Sequence, residues 1–160
     1  MDINNHIVYD DSVEPDVKWD GLNMPLSDES FDSLLLTEVL EHCSDPRNIF
    51  KEIYRVLKKG GIAFITTPFV FPLHESPYDQ YRYTPYRIRE LSDEAGFNVL
   101  SLSPLGGING VLSQVLATYR NKYLRFLFLP IVYILGKIDD KPQEFKDDVI
   151  FTGLCAVIKK

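Results

Sequence analysis

The runs Phe31-Asp32-Ser33-Leu34-Leu35-Leu36-Thr37 and Ile62-Ala63-Phe64-Ile65-Thr66-Thr67, with Ser44-Asp45-Pro46 between them, decide the fold class. The first run has a continuous apolar centre, the pattern of a strand covered on both faces within a parallel sheet. Asp45 is suited to cap the free amides of a helix, and Pro46 is preset for its first position. That helix is expected to reach about Lys59. Ile49, Phe50, Ile53, Tyr54 and Leu57 recur at spacings of three and four, and Lys58-Lys59 before Gly60-Gly61 suits its dipole and its end. Residues 31 to 67 therefore read as a strand, helix, strand unit with a right-handed crossover, which is an α/β signature.

Working outward, Val17-Lys18-Trp19 reads as a short edge or terminal strand ending at Asp20-Gly21. A long aromatic loop from Pro68 to Tyr83 leads to a helix capped by Thr84, with Pro85 in its first turn and Gly96 after its end. Phe97 to Leu102 is a third strand. Residues 108 to 138 form one or two helices broken near Pro130, and Val149 to Ile158 is a final strand. Gly106-Gly107-Ile108-Asn109-Gly110 lacks the G-x-G-x-x-G order and reads as a turn and helix start.

The 160 residues suit one domain, with a helical insertion or lid at about 108–138. A content of 45% hydrophobic and 25% charged residues excludes disordered, collagen-like and coiled-coil classes. With 17 basic and 23 acidic residues the net charge is −6, a poor match for a phosphate backbone, so no nucleic-acid partner is expected. Two distant cysteines, Cys43 and Cys155, form no CxxC, and the polar start Met1-Asp2-Ile3-Asn4-Asn5 is unlike a secretory signal; a cytoplasmic location is expected. The apolar run 126–135 is shorter than the roughly 20 residues of a spanning helix. Arg120, Lys122, Arg125 and Lys137 flank it, so 123–138 is a candidate for peripheral membrane contact.

In open α/β sheets ligands sit beyond the carboxyl ends of the strands. Asp20 at such an end can accept a bond from a ligand, or can simply close an Asp-Gly turn. Glu38 and His42, at i and i+4, would share a helical face; with Glu41 they form an acid/base cluster or a solvated helix start. One His and two carboxylates are too few for a metal, so none is expected. The 68–83 loop is long enough to line a site and carries His74, Tyr81 and Arg82, types suited to proton transfer, stacking and anion binding; the alternative is an aromatic plug over the sheet.

Asp20-Gly21-Leu22-Asn23-Met24-Pro25-Leu26, Ser30-Phe31-Asp32, Thr37-Glu38-Val39-Leu40-Glu41-His42 and Tyr54-Arg55-Val56-Leu57-Lys58-Lys59-Gly60-Gly61, in this order, resemble the class I S-adenosylmethionine-dependent methyltransferases. Leu73-His74-Glu75-Ser76-Pro77-Tyr78-Asp79, Tyr81-Arg82-Tyr83-Thr84-Pro85 and Glu94-Ala95-Gly96-Phe97 look like a subgroup of that family. The resemblance implies a Rossmann-like, mostly parallel sheet flanked by helices, S-adenosylmethionine as cofactor, and methyl transfer to a small-molecule or membrane-associated substrate. By position, Asp20 looks like the acid facing the adenine amine, with Gly21 and Leu22 supplying backbone contacts, and Asp2 like the acid on the ribose hydroxyls. Thr37 and Glu38 match positions near the methionine moiety; His42 and Arg82 are candidates for the substrate side, and His74 and Tyr81 for catalysis.

The family begins with a strand, a glycine-rich loop and a helix, and none of the nine glycines, the first being Gly21, matches that loop. The expectation is a carboxyl-terminal portion, truncated at the N-terminus, that binds cofactor weakly or not at all and closes its open sheet edge as a homo-oligomer. The competing reading is a noncatalytic methyltransferase-like fragment that acts by self-association or partner binding.

Overall fold

The computed structural model describes residues 2–3, 15–138, 144–145 and 149–160. In chain order the elements are β1 (Asp2–Ile3), β2 (Lys18–Trp19), β3 (Phe31–Thr37), a one-turn 3₁₀ helix (Leu40–His42), α1 (Pro46–Val56), β4 (Leu57–Pro68), α2 (Pro85–Ala95), β5 (Asn98–Leu105), α3 (Ile108–Ala117), α4 (Lys122–Ile138) and β6 (Gly153–Lys159). Four strands form one sheet in the order β3-β4-β6-β5, and β1 pairs with β2 separately. β3 and β4 are parallel, whereas β6 is antiparallel to both β4 and β5. Three strands thus run one way and β6 runs back between two of them. This is the expected Rossmann-like α/β arrangement, with β3, α1 and β4 forming the crossover unit.

α1 begins as its sequence dictates: Pro46 takes the first turn and Asp45 Oδ1 accepts the Asn48 N–H at 3.0 Å. It ends at Val56, earlier than Lys59, because Leu57 is already extended and pairs with Phe31. Lys58 and Lys59 consequently belong to β4, and Lys58 Nζ binds Asp32 at 2.9 Å instead of serving a helix dipole. Gly61 is required there, since a Cβ would lie 2.9 Å from the Lys58 carbonyl and 3.1 Å from that of Asp32. α2 follows the expected punctuation, with Thr84 Oγ1 accepting from the Arg87 N–H and Gly96 turning left-handed at φ +91°.

The core lies between the sheet and α1 and α2. Ile49, Phe50, Ile53 and Val56 of α1 and Ile88 and Leu91 of α2 are buried against Ala63, Ile65, Leu154, Ala156 and Ile158. The reading of β3 as covered on both faces is overturned. Side chains alternate across a strand, so Leu36 is buried while Leu35 is 71% exposed, and its cross-strand partner Phe64 is also exposed.

Residues 108–138 do form two helices, but the break falls between α3 and α4, not at Pro130, which lies inside α4. Asn121 Oδ1 accepts the Tyr123 and Leu124 N–H groups at 3.0 and 3.3 Å, and this cap starts a new helix ahead of the proline. α4 buries none of its residues, leaving Tyr123, Phe126, Leu127 and Tyr133 open. Among the described residues no helix is long and apolar enough to cross a membrane. The final strand starts at Gly153, later than Val149, and a Cβ at Gly153 would sit 2.7 Å from the Thr67 carbonyl.

Candidate functional site

The three segments that the sequence singles out leave the carboxyl ends of β2, β3 and β4. Asp20 follows β2, and its Oδ1 accepts the Leu22 and Asn23 N–H groups at 2.8 and 2.7 Å. Those two amides hold its carboxyl below the ordinary Asp range, and Gly21 turns with φ +80°. The side chain therefore closes an Asx turn and remains at the surface. A cavity of about 520 Å³ runs along β3 from Phe31 to Thr37 and is walled opposite by Asp16, Trp19, Met24 and Leu26. Asp20 and Glu38 are the residues directly after two of its walls, Trp19 and Thr37. Asp2 lies in β1 paired with Lys18; its side chain lies outside the described residues.

Glu38 adopts φ +51°, so the chain leaves β3 through a left-handed kink and not through a helix. Its N–H donates to the Thr66 carbonyl at 3.1 Å, and its Oε1 accepts from Thr66 Oγ1 at 2.9 Å. The shared helical face expected for Glu38 and His42 does not form, because only Leu40–His42 makes a turn, and that turn is 3₁₀.

That turn sends Glu41 inward. Its side chain has no exposed surface, and neither carboxylate oxygen has a hydrogen-bond partner. Burial is the main reason its carboxyl is pushed up to about 7, with the nearby Glu38 carboxylate adding to the shift. His42 Nε2 lies 3.7 Å and His74 Nε2 3.8 Å from Glu41 Oε1, and the two imidazoles meet edge to face with centroids 4.9 Å apart. Glu75 Oε2 stands 3.2 Å from His42 Nε2.

The 68–83 loop delivers His74 and Glu75. It is fastened to the 3₁₀ turn by the Gln80 and Tyr81 N–H groups, which donate to the Glu41 carbonyl at 3.0 and 3.2 Å. Behind His74, Asp79 Oδ2 faces Nδ1 at 3.2 Å and accepts the His74 N–H at 3.2 Å. Arg82 grips both Asp79 oxygens, and its charge-assisted bonds hold the Asp79 carboxyl down at about 2. The Arg82 fork is thus taken up by Asp79 and by the Tyr81, Phe71 and Pro72 carbonyls. Tyr81 points elsewhere, donating its hydroxyl to the Ser44 carbonyl at 3.3 Å with its ring beside Tyr83. Of the four residues proposed for chemistry or substrate, the fold brings His42 and His74 together and directs Tyr81 and Arg82 to other partners. The roles of Asp79 and Glu75 were not read from the sequence; the doublets Glu41-His42 and His74-Glu75 were its available signal.

Residues 4–65 match the methyltransferase domain family. The chain is 50% identical over 44 residues to cycloartenol-C-24-methyltransferase 1 of Oryza sativa, covering 28% of this chain and 13% of that protein. It therefore spans only a small part of that curated relative's length. An S-adenosylmethionine-dependent methyltransferase from Thermotoga maritima superposes with a TM-score of 0.56 at 18% identity, over 90% of this chain and 63% of that one. Phosphoethanolamine N-methyltransferase 2 of Haemonchus contortus, solved with S-adenosylhomocysteine, superposes with a TM-score of 0.53 at 20% identity, over 89% of this chain and 36% of that one. In fold the chain matches an S-adenosylmethionine-dependent methyltransferase along nine-tenths of its length, and in sequence the segment that holds β2, β3 and α1 matches the methyltransferase domain family.

Proposed function

We propose that this chain carries part or all of an S-adenosylmethionine-dependent methyl-transfer site. The observation that carries the reading is the cavity beside β3, whose walls Trp19 and Thr37 lead directly into Asp20 and Glu38. A volume of about 520 Å³ is in the range of small-molecule sites. Trp19, Met24, Leu34 and Leu36 supply apolar walls, and Asp16 and Thr37 supply polar groups, a mixture that suits a nucleoside carrying an amino-acid arm. Asp20, with Gly21 and Leu22, would hold the adenine, Asp2 the ribose, and Thr37 and Glu38 the methionine end. The cofactor supplies an electrophilic methyl group when bound. The chain's part is to orient that group against an acceptor and to exclude water, and the 68–83 loop with His42 and His74 is the substrate side.

The acceptor is a small or membrane-associated molecule rather than nucleic acid, a reading supported by the net charge of −6 and by the open apolar residues of α4. Calorimetric titration with S-adenosylhomocysteine tests the reading: saturable binding below millimolar ligand is expected, and no heat at millimolar ligand would overturn it.

One observation favours the second reading, self-association without catalysis. Among the described residues β3 pairs only with β4, and the cavity follows the strand's other side for its whole length. A groove of that shape suits an added strand. Light scattering that shows a dimer, together with silent calorimetry, would favour it.

A further inference from the structure

We propose that Glu41, His42 and His74 bind one divalent first-row transition-metal cation, with Glu75 placed to join them. One ligand atom from each of Glu41, His42 and His74 lies within 4.8 Å of the others. Two ligands held about 2.0–2.2 Å from a common ion are roughly 3 to 4.4 Å apart, depending on the angle between them. The separations of 3.7 and 3.8 Å from Glu41 Oε1 to the two Nε2 atoms fall in that interval, and both are too long for hydrogen bonds.

Acceptor oxygens stand behind both rings. His42 Nδ1 faces the Tyr78 carbonyl at 3.3 Å, and His74 Nδ1 faces Asp79 Oδ2 at 3.2 Å and the Pro72 carbonyl at 3.3 Å. The oxygens at His74 only accept, so its Nδ1 carries the hydrogen and its Nε2 turns a lone pair toward Glu41, while His42 Nε2 stands between the Glu41 and Glu75 carboxylates, where a cation can join all three. A fully buried carboxylate without a donor, beside two imidazole nitrogens and a second carboxylate, is an arrangement that a cation resolves. Carboxylate or carbonyl support behind a ligating imidazole is the usual outer shell of a metal site, and here Arg82 in turn fixes Asp79. Mixed imidazole and carboxylate donors suit zinc, manganese or iron(II) rather than magnesium or calcium.

The inference does not rest on methyl transfer, and its test reads metal alone. Untagged, chelator-treated protein is titrated with Zn²⁺ by calorimetry and with Co²⁺ by visible absorption. The expected result is one equivalent bound at micromolar strength or tighter, with cobalt bands that zinc abolishes. His74→Ala, a change in a loop whose imidazole is partly exposed, is expected to weaken binding at least a hundredfold, and Glu41→Gln to do the same. If Glu41→Gln fails to fold by circular dichroism, His74→Ala alone decides. Absence of binding to the unmodified chain, or unchanged binding in folded His74→Ala, overturns the proposal.

Discussion

His74 is held between two acids: its Nδ1 lies 3.2 Å from Asp79 Oδ2 and its Nε2 points at Glu41. Asp79 is the strut of this arrangement, because it joins the loop's histidine to Arg82 and is itself almost fully buried. Asp79→Ala leaves the Arg82 guanidinium and the His74 amide without their acceptor. The expected cost is about 1–3 kcal/mol, read as a lowered urea midpoint. Asp79→Asn, which keeps one acceptor, is expected to fall between the two proteins, and an Ala variant as stable as the parent would remove the strut.

Asp20→Ala removes the acceptor of two amides at the end of β2. If the turn also faces the adenine, affinity for S-adenosylhomocysteine falls about tenfold, corresponding to one charge-assisted bond of roughly 1.5–3 kcal/mol. Unchanged affinity in calorimetry would leave Asp20 as a turn residue only.

Acid stability is expected to depend on Glu52. Arg55 Nε and Nη2 each donate to it at 2.8 Å, and the Met24 N–H donates at 2.7 Å. The Arg55 bonds, first, hold its carboxyl below the ordinary Glu value. A carboxyl lowered in the folded state stabilises above its unfolded pKa, and that contribution is lost as the pH falls through the folded one. Glu52→Gln should therefore lower the thermal midpoint at pH 7 and leave a smaller difference from the parent at pH 3. Equal differences at both pH values would contradict the linkage.

Phe50 is fully buried, with its ring edge to face against Phe97 at 6.5 Å. Phe50→Ala should cost about 3–5 kcal/mol through lost burial and the cavity left behind. A variant that unfolds within about 1 kcal/mol of the parent would show that α1 is not seated on the sheet as described.

The exposed pair Leu35 and Phe64 is expected to drive association of the isolated chain. Light scattering should report a dimer or larger species, and Leu35→Lys should shift it toward monomer. A parent chain that stays monomeric at high micromolar concentration would end the self-association reading.

The local signals of this sequence were sufficient for the starts of β3, α1 and α2 and for the end of α2: an apolar run, Asp45-Pro46, Thr84-Pro85 and Gly96 act over a few residues, through capping and backbone sterics. The methyltransferase resemblance was legible for the same reason, being carried by short motifs in order. Tertiary structure decided what depends on distant partners. Val56 rather than Lys59 ends α1 because Leu57 finds Phe31 across the sheet, and Leu35 stays open because α1 and α2 cover only the other face. The same holds for the site. Glu41 and His42 needed a second histidine, and only the loop's bonds to the Glu41 carbonyl bring His74 to them, a contact that no spacing along the chain encodes.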